Sequence, residues 1–577
     1  MSEEMLDVQT VRLSYQHFTW LDYLMFLFML TICCSIGIYF GFVRKQITSQ
    51  DYLMGGRNMK LLPVCFSLVA SFISGISLLG IPTELYIYGV SYVFMLIGAI
   101  IMTVIFSYTF LPILHELKLT SVYEYLELRF DKRLRVFGSV IFSAYLVAWL
   151  PIVVYVPALA FNQVTGVNVH VITPIVCLVC IFYTSLGGLK AVVWTDVIQT
   201  IMMLGAMLIV IVKGTLMVGG FERVMKLNWD TGRIEIPRVN IDLTERHTIW
   251  STTIGSTFYW IGQIAINQSM MQRFLSLKEL KSAKRAAWIF VFGVTVTVFI
   301  CGYSGLVAYA KFYNCDPLDS RLALAKDQLL PLLVMDVLGD WSGMSGIFVA
   351  GVFSAALSSL STGLNSMASV VLEDFWKPFF KELSHMQTQF MIRGVVVVLG
   401  TTCVGLVYVV ERLGSVLQLT MSLSSASMGP LAGVFLMGIF MPSIDSTSAL
   451  AGGGIGLLSA WWLALQSQLA QSKGLLKYEQ KDRFTNNCTF IFDPVVPSDE
   501  NTTSEVAYLY RISYLWFTAF GCIISIVVAC FVSLRRKPKV HRDHRLFAHF
   551  LRKSMQRNTV NEMRIKNDLT LADTIKI

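Results

Sequence analysis

Hydroxyl and amide oxygens gather in one stretch of this chain, at Ser354, Ser358, Ser359, Ser361, Thr362, Asn365 and Ser366, inside an otherwise apolar run. Ser358, Ser361 and Asn365 recur at helical spacing, so a helix through the stretch carries them on one face. Hard oxygens of this kind suit a hard cation. In hydrocarbon, neutral hydroxyls and unwound carbonyls can hold an alkali ion without burying carboxylates. A second stretch supplies such carbonyls. Residues 61–86 are apolar enough to cross a bilayer, yet they contain Ser67, Ser71, Ser74, Gly75, Ser77, Gly80 and Pro82. A helix interrupted in this way exposes backbone, which a membrane tolerates only where protein buries it or a wet cavity meets it. For any single serine the alternative stands that a small residue merely lets two helices approach closely. Together the two stretches point to ion-coupled movement of a solute. No spaced carboxylate pair, nucleophile with its base, or phosphate-cradling glycine loop stands out, so an enzyme is not expected.

The elements that must position these residues are membrane helices. Of 577 residues, 55% are hydrophobic and 14% charged, with a mean hydropathy of +0.62, which excludes an ordinary soluble domain. At about 20 residues per crossing the apolar runs give about thirteen spans. They include 20–42, 61–86, 171–186, 191–212, 248–274, 346–371, 416–441 and 514–534. The expected fold class is an all-α polytopic membrane protein.

Short loops retaining Lys and Arg mark the cytoplasmic side. Arg44, Lys45, Arg57 and Lys60 follow the first span, whereas the N-terminus carries Glu3, Glu4 and Asp7. The expected topology is an extracellular N-terminus and a cytoplasmic C-terminus, with no cleavable signal peptide. Sequons at Asn487 and Asn501 fall in the loop before the last span, on the outer side, and are expected glycosylation sites. A third, at Asn267, lies within a span and is not. The net charge of +9 belongs to loops and tail facing lipid head groups, so no nucleic-acid partner is expected. Of eleven cysteines most lie in spans as small apolar residues, without metal-ligand spacing. Cys315 and Cys488 fall in outer loops and are candidates for a disulfide.

A long motif adds a resemblance. Residues 183–196, YTSLGGLKAVVWTD, resemble the signature of the sodium/solute symporter family, as do 119–130 (LTSVYEYLELRF), 267–273 (NQSMMQR) and 429–435 (GPLAGVF). The similarity runs from about residue 20 to 534. It implies a leucine-transporter-like core of two inverted five-helix units, 61–212 and 248–441. Around them lie an N-terminus (1–19), a peripheral helix with its loop (20–60), an outer loop (213–247), two peripheral helices (442–534) and a tail (535–577). It implies Na+ as coupling ion, bound by the carbonyls of Ala70, Ile73 and Ala355 and the hydroxyls of Ser358 and Ser359. Some relatives bind a second sodium, and the matching positions are Thr195, Asp196 and Ser361.

Within the family, the run 80–86 (GIPTELY) resembles the branch carrying monocarboxylates, vitamins and iodide, which implies sodium-driven import of a small organic anion by alternating access. Candidate substrate contacts are Phe72, Ser74, Gly75 and Ser77, then Phe258 and Gln263, then Ser424 and Ser425. The chain departs from that branch at Ile87, where relatives usually carry arginine, and this removes a cation expected near the outer mouth. The alternatives are a symporter of sugar or another neutral solute, and an ion-sensing or channel-like homologue. The expected setting is the plasma membrane, with the bilayer and a small-molecule substrate as partners and the monomer as the working unit.

Overall fold

Ile73 and Ser74 leave the helical region, at φ −80°, ψ 99° and φ −90°, ψ 171°, and this pair of residues sets the architecture. They divide the second apolar run into α2 (Leu61–Phe72) and α3 (Gly75–Tyr88), bent by 59°. The computed structural model describes residues 7–16, 18–44, 46, 48–378, 380, 384–412, 416–493, 506–536 and 543–552. Asn501 lies outside them. Among the described residues, ten helices are long and apolar enough to cross a membrane, or eleven if the bent pair counts as one.

Two differences from the expected thirteen have physical causes. The fifth and sixth expected spans form one continuous stretch, α6 (Val169–Val218), of 50 residues, which as a straight helix would measure about 75 Å. It turns at Gly188, whose φ 53° and ψ −155° belong to a region essentially reserved for glycine. The seventh expected span is not one helix. It runs through π, α and π segments at Ser251–Gly255, Ser256–Trp260 and Ile261–Ala265. It then breaks at Ile266 and Asn267 before α7 (Gln268–Leu275), whose N-terminus the Asn267 side chain caps at 2.9 Å. Two broken helices thus occupy corresponding positions in the two halves, the arrangement in which membrane symporters build their sites.

The other helices form the frame. α1 (Trp20–Val43) precedes the first break, followed by α4 (Val90–Glu116) and α5 (Lys132–Thr165). In the second half come α8 (Leu280–Lys311), α9 (Met344–Trp376), α10 (Met386–Val410) and α11 (Thr420–Phe440). α12 (Ser446–Ser472) and α13 (Tyr514–Ser533) pack on α11 at the periphery. α9 is the most enclosed, with 94% of its most apolar window buried, which is why a hydroxyl-rich helix survives in a membrane protein.

The two ends of the bundle are closed differently. At one end Cys315 is disulfide-bonded to Cys488, and the segment carrying Cys488 reaches back so that the Lys481 amide donates to the Ile87 carbonyl (2.9 Å). At the other end a segment beyond α13 docks on the bundle. Phe547 is fully buried there and lies on the Arg129 guanidinium (4.8 Å), as does Phe130 (4.5 Å). Tyr125 donates to the Leu546 carbonyl (3.0 Å), and Arg552 pairs with Glu116 (3.1 Å).

The turn in α6 is testable. A Cβ on Gly188 would sit 2.8 Å from the Tyr52 carbonyl oxygen, and the backbone there costs any other residue about 1–3 kcal/mol. Gly188→Ala should therefore lower surface expression and the melting temperature in detergent. Gly205→Ala, where a Cβ meets nothing within 4 Å, should leave both unchanged.

Candidate functional site

The break in α2–α3 frees backbone oxygens. Ile73 still donates to Val69 (2.9 Å), but the Ser77 amide donates to the Ser74 carbonyl (3.0 Å) instead of reaching Ile73. Against this point lies the α9 turn carrying Ala355, Ser358 and Ser359, which share one face. Ser359 Oγ donates to the Ser71 carbonyl (3.3 Å), tying that face to the break. Ala70, Ile73, Ala355, Ser358 and Ser359 are all buried. Ser358 Oγ makes no close hydrogen bond and has the Asp196 carboxylate as a polar neighbour.

Beside this turn stands a buried charge network. Asp196, on α6, is fully enclosed. One of its oxygens, Oδ2, accepts from Ser67 Oγ (2.5 Å) and from Arg273 Nη2 (3.2 Å). The other, Oδ1, is buried without a partner, and the Ser358 hydroxyl stands close enough to interact with the carboxylate. Arg273 also donates to Ser67 Oγ (2.6 Å), to the Ser269 carbonyl (2.9 Å) and to Thr362 Oγ1. The other two candidates for a second ion are engaged within their own helices. Thr195 Oγ1 donates to Val192 (2.9 Å) and Ala191 (3.1 Å), and Ser361 Oγ to Ser358 (3.1 Å).

Between the broken helices lies a cavity of about 100 Å³, room for a few waters or one small solute. Phe72, Ser74, Ser77, Gln263 and Ser424 line it. Phe72 stacks on Trp260 (4.6 Å), Ser424 donates to Tyr145 Oη (3.4 Å), and the buried Gln263 leaves Nε2 without an acceptor. Gly75, Phe258 and Ser425 stand outside the lining. Gly75 serves packing, because a Cβ there would lie 2.6 Å from Pro157 Cγ. Tyr92, Tyr145, Trp149, Trp260 and Thr362 are also in the wall. Sequence reasoning missed the four aromatics, as it missed Arg273, although an ionisable residue inside a span is by default a functional candidate.

Ile87 does not face the outer mouth. It is fully buried in the apolar core. At the opposite end Arg135 gathers Glu127 (2.7 Å), Asp374 (2.6 Å) and Glu124 (3.4 Å). Burial, then the neighbouring Glu373 carboxylate, push the Glu124 carboxyl up to about 7. Asn267, buried while capping α7, is closed to glycosylation, whereas Asn487 is exposed.

The profile of the Sodium:solute symporter family matches residues 52–456. The chain belongs to this family. It is 36% identical over 528 residues to the human sodium-coupled monocarboxylate transporter 1, covering 89% of this chain and 87% of that one. To the human sodium/iodide cotransporter it is 33% identical over 537 residues, with 90% and 84% covered. Among solved structures, a substrate-bound, outward-open Na+-coupled sialic acid symporter superposes with a TM-score of 0.74 at 23% identity, over 91% of this chain and all of that one. A nucleobase-cation-symport-1 family transporter in a closed conformation gives 0.51 at 13% identity, over 85% and 94%. The fold is therefore the leucine-transporter-like one, and the chain is a multi-pass, sodium-coupled symporter, not an enzyme.

Breaking a buried ion pair from one side costs about 3–5 kcal/mol, because the remaining charge is stranded. Arg273→Gln should therefore abolish folded protein on fluorescence-detected size exclusion. The double variant Asp196→Asn/Arg273→Gln, which strands no charge, should recover a monodisperse peak.

Proposed function

We propose that this symporter imports a small monocarboxylate with sodium across the plasma membrane by alternating access. The observation that carries the ion half of this reading is the pair of donorless buried oxygens, Ser358 Oγ and Asp196 Oδ1, beside the α2–α3 break. The carbonyls of Ala70, Ile73 and Ala355 with the hydroxyls of Ser358 and Ser359 form the main sodium site. Asp196 Oδ1 is the strongest ligand for a second ion. Thr195 and Ser361, whose hydroxyls already donate within their helices, contribute less. The disulfide-bearing end, with Asn487 exposed for glycosylation, faces outward, and the C-terminal segment faces the cytoplasm.

Three features support a small carboxylate. The cavity is small, the monocarboxylate relatives align over most of the chain, and donors converge on one spot. The N-terminus of α3 offers backbone N–H groups beside Ser74 and Ser77, and Gln263, whose amide nitrogen has no acceptor, lines the same space. Helix N-termini attract anions, and a bound sodium adds its own charge. One observation favours a second reading, a neutral solute: no Lys, Arg or His stands among the lining residues.

Uptake of radiolabelled lactate, pyruvate, nicotinate, iodide and glucose into oocytes, in sodium and in choline, tests the substrate. Sodium-dependent uptake led by a monocarboxylate is expected, and glucose uptake exceeding every anion would establish the neutral reading. Ser358→Ala/Ser359→Ala should preserve surface expression while raising the sodium concentration for half-maximal uptake about tenfold or more, since a desolvated cation loses two ligands. An unchanged sodium dependence would remove these residues from the site.

Stoichiometry can be read electrically. With two sodium ions per monovalent anion, one net charge enters per cycle, worth about 2.3 kcal/mol per 100 mV. Hyperpolarisation should then increase uptake. Voltage-independent uptake would indicate one sodium per anion and exclude Asp196 as a second ion site.

A further inference from the structure

A second cavity, of about 230 Å³, lies at the disulfide-bearing end, and Tyr88, Ser91, Arg246, His247 and Tyr478 stand in its wall. Two elements run from this outer chamber to the central one. On α3, Ile81 lines the central cavity and Tyr88 the outer one, seven residues or about 10 Å of helix apart. Just beyond α3, Ser91 lines the outer chamber and its neighbour Tyr92 the central one. The two spaces are therefore stacked, and the side chains between them form a partition.

Arg246 spans that partition. Ile81, Glu84 and Tyr88 fall on one stripe of α3, so Glu84 sits between the two chambers. Its carboxylate accepts from Arg246 Nε (2.6 Å) and Nη2 (2.9 Å), and both side chains are almost wholly enclosed. Arg246 Nη1 donates to Gln418 Oε1 (3.0 Å), and Gln418 stands two residues ahead of Thr420, which opens α11 in the central wall. Gln471, on α12, donates to the same oxygen (2.9 Å). The rings of Tyr88 (4.2 Å), Tyr478 (5.0 Å) and Tyr514 (5.0 Å) lie against the guanidinium. Next along the chain, His247 meets Tyr92 edge-on (5.9 Å). The Arg246 backbone is fixed as well, because its carbonyl accepts from Ser513 Oγ (2.7 Å). With its charge matched by Glu84, Arg246 is no lure for an anion. It is a strut from α3 to the start of α11.

We propose that Arg246 is the outer gate of this symporter: its bonds to Glu84 and Gln418 cross the solute path, part when the central cavity opens outward, and re-form to seal it. Glu84 and Gln418 are positioning residues that hold the guanidinium across the path. The gate and the ion site share one helix, since α3 starts at the break beside the sodium-ligand oxygens and carries Glu84 three turns on. The inference rests on the central cavity being the solute site, and it holds for a carboxylate and a neutral solute alike.

The test uses the full-length protein in intact cells, with a membrane-impermeant trimethylammonium methanethiosulfonate added outside and each modified cysteine read by peptide mass spectrometry. Met421→Cys, in the central wall, should react slowly, and Thr244→Cys, in the outer chamber, fast. Gln418→Ala removes one end of the strut and leaves the Glu84–Arg246 pair neutral. It should speed Met421→Cys modification about tenfold or more, the weight of a hydrogen bond to a charged group. Glu84→Gln/Arg246→Gln, which removes both charges together, should do the same. The Thr244→Cys rate should not change, and the native Cys301, fully buried on α8, should stay unmodified throughout. A Met421→Cys rate that neither variant raises, or one already equal to that of Thr244→Cys, overturns the gate. So does modification of Cys301 alongside Met421→Cys, which would mean a loosened bundle. If the double variant does not reach the surface, Gln418→Ala decides alone. Reagent access needs no transported solute, so failure of carboxylate uptake overturns the transport reading separately.

Discussion

A carboxylate sealed from water must be neutralised where it lies, and the Asp196–Arg273 pair meets that demand at the centre of the bundle. The cost of desolvating both groups is repaid only when their remaining polar atoms are matched. Here the matching atoms come from different elements: Ser67 on α2, Thr362 on α9, and the Ser269 carbonyl on α7. Moving any one of these helices disturbs the neutralisation of the others, so the two broken helices and the two packed ones hold a single register. The hydroxyls of Ser358 and Ser359 lie beside this network on α9 and share its rigidity.

The two breaks were unequally legible. Ser74, Gly75 and Pro82 announce the first, because residues that favour caps or cannot continue a helix cluster within one apolar run. The second, at Ile266–Asn267, contains neither glycine nor proline. Its strain is spread through π segments that leave no compositional mark, so residues 248–274 read as an ordinary span. The turn at Gly188 was legible to within a few residues because apolar length alone demands it. Around the site, hydroxyls on α9 were visible as a periodic face. Gly75, Phe258 and Ser425 stand outside the cavity lining, because each step along a helix turns the outward direction by about 100° and the sequence around a motif does not fix which residues meet the space. Ile87 is a similar case: adjacency to a motif does not say which way a helical residue faces.

Charge is distributed unevenly along the solute path. The central cavity is walled by aromatics, hydroxyls and amides, and its lining carries no cation, whereas the chamber above it holds arginines and lysines paired with carboxylates. A permanent cation in the central chamber would bind an anion and also repel sodium.

The docked segment beyond α13 extends the folded unit past its last membrane crossing. Phe547 and Phe130 both lie against the Arg129 guanidinium, and Arg129 in turn donates to the carbonyls of Gly438 (3.0 Å) and Met441 (2.9 Å), at the end of α11. α11 also carries Ser424, in the wall of the central cavity. A chain cut at residue 534 would therefore keep every span yet lose the ring that clamps the foot of a substrate-lining helix. Anything joined to the tail is mechanically connected, through Arg129 and the Ala548 amide on the Ile439 carbonyl (3.2 Å), to the interior of the symporter.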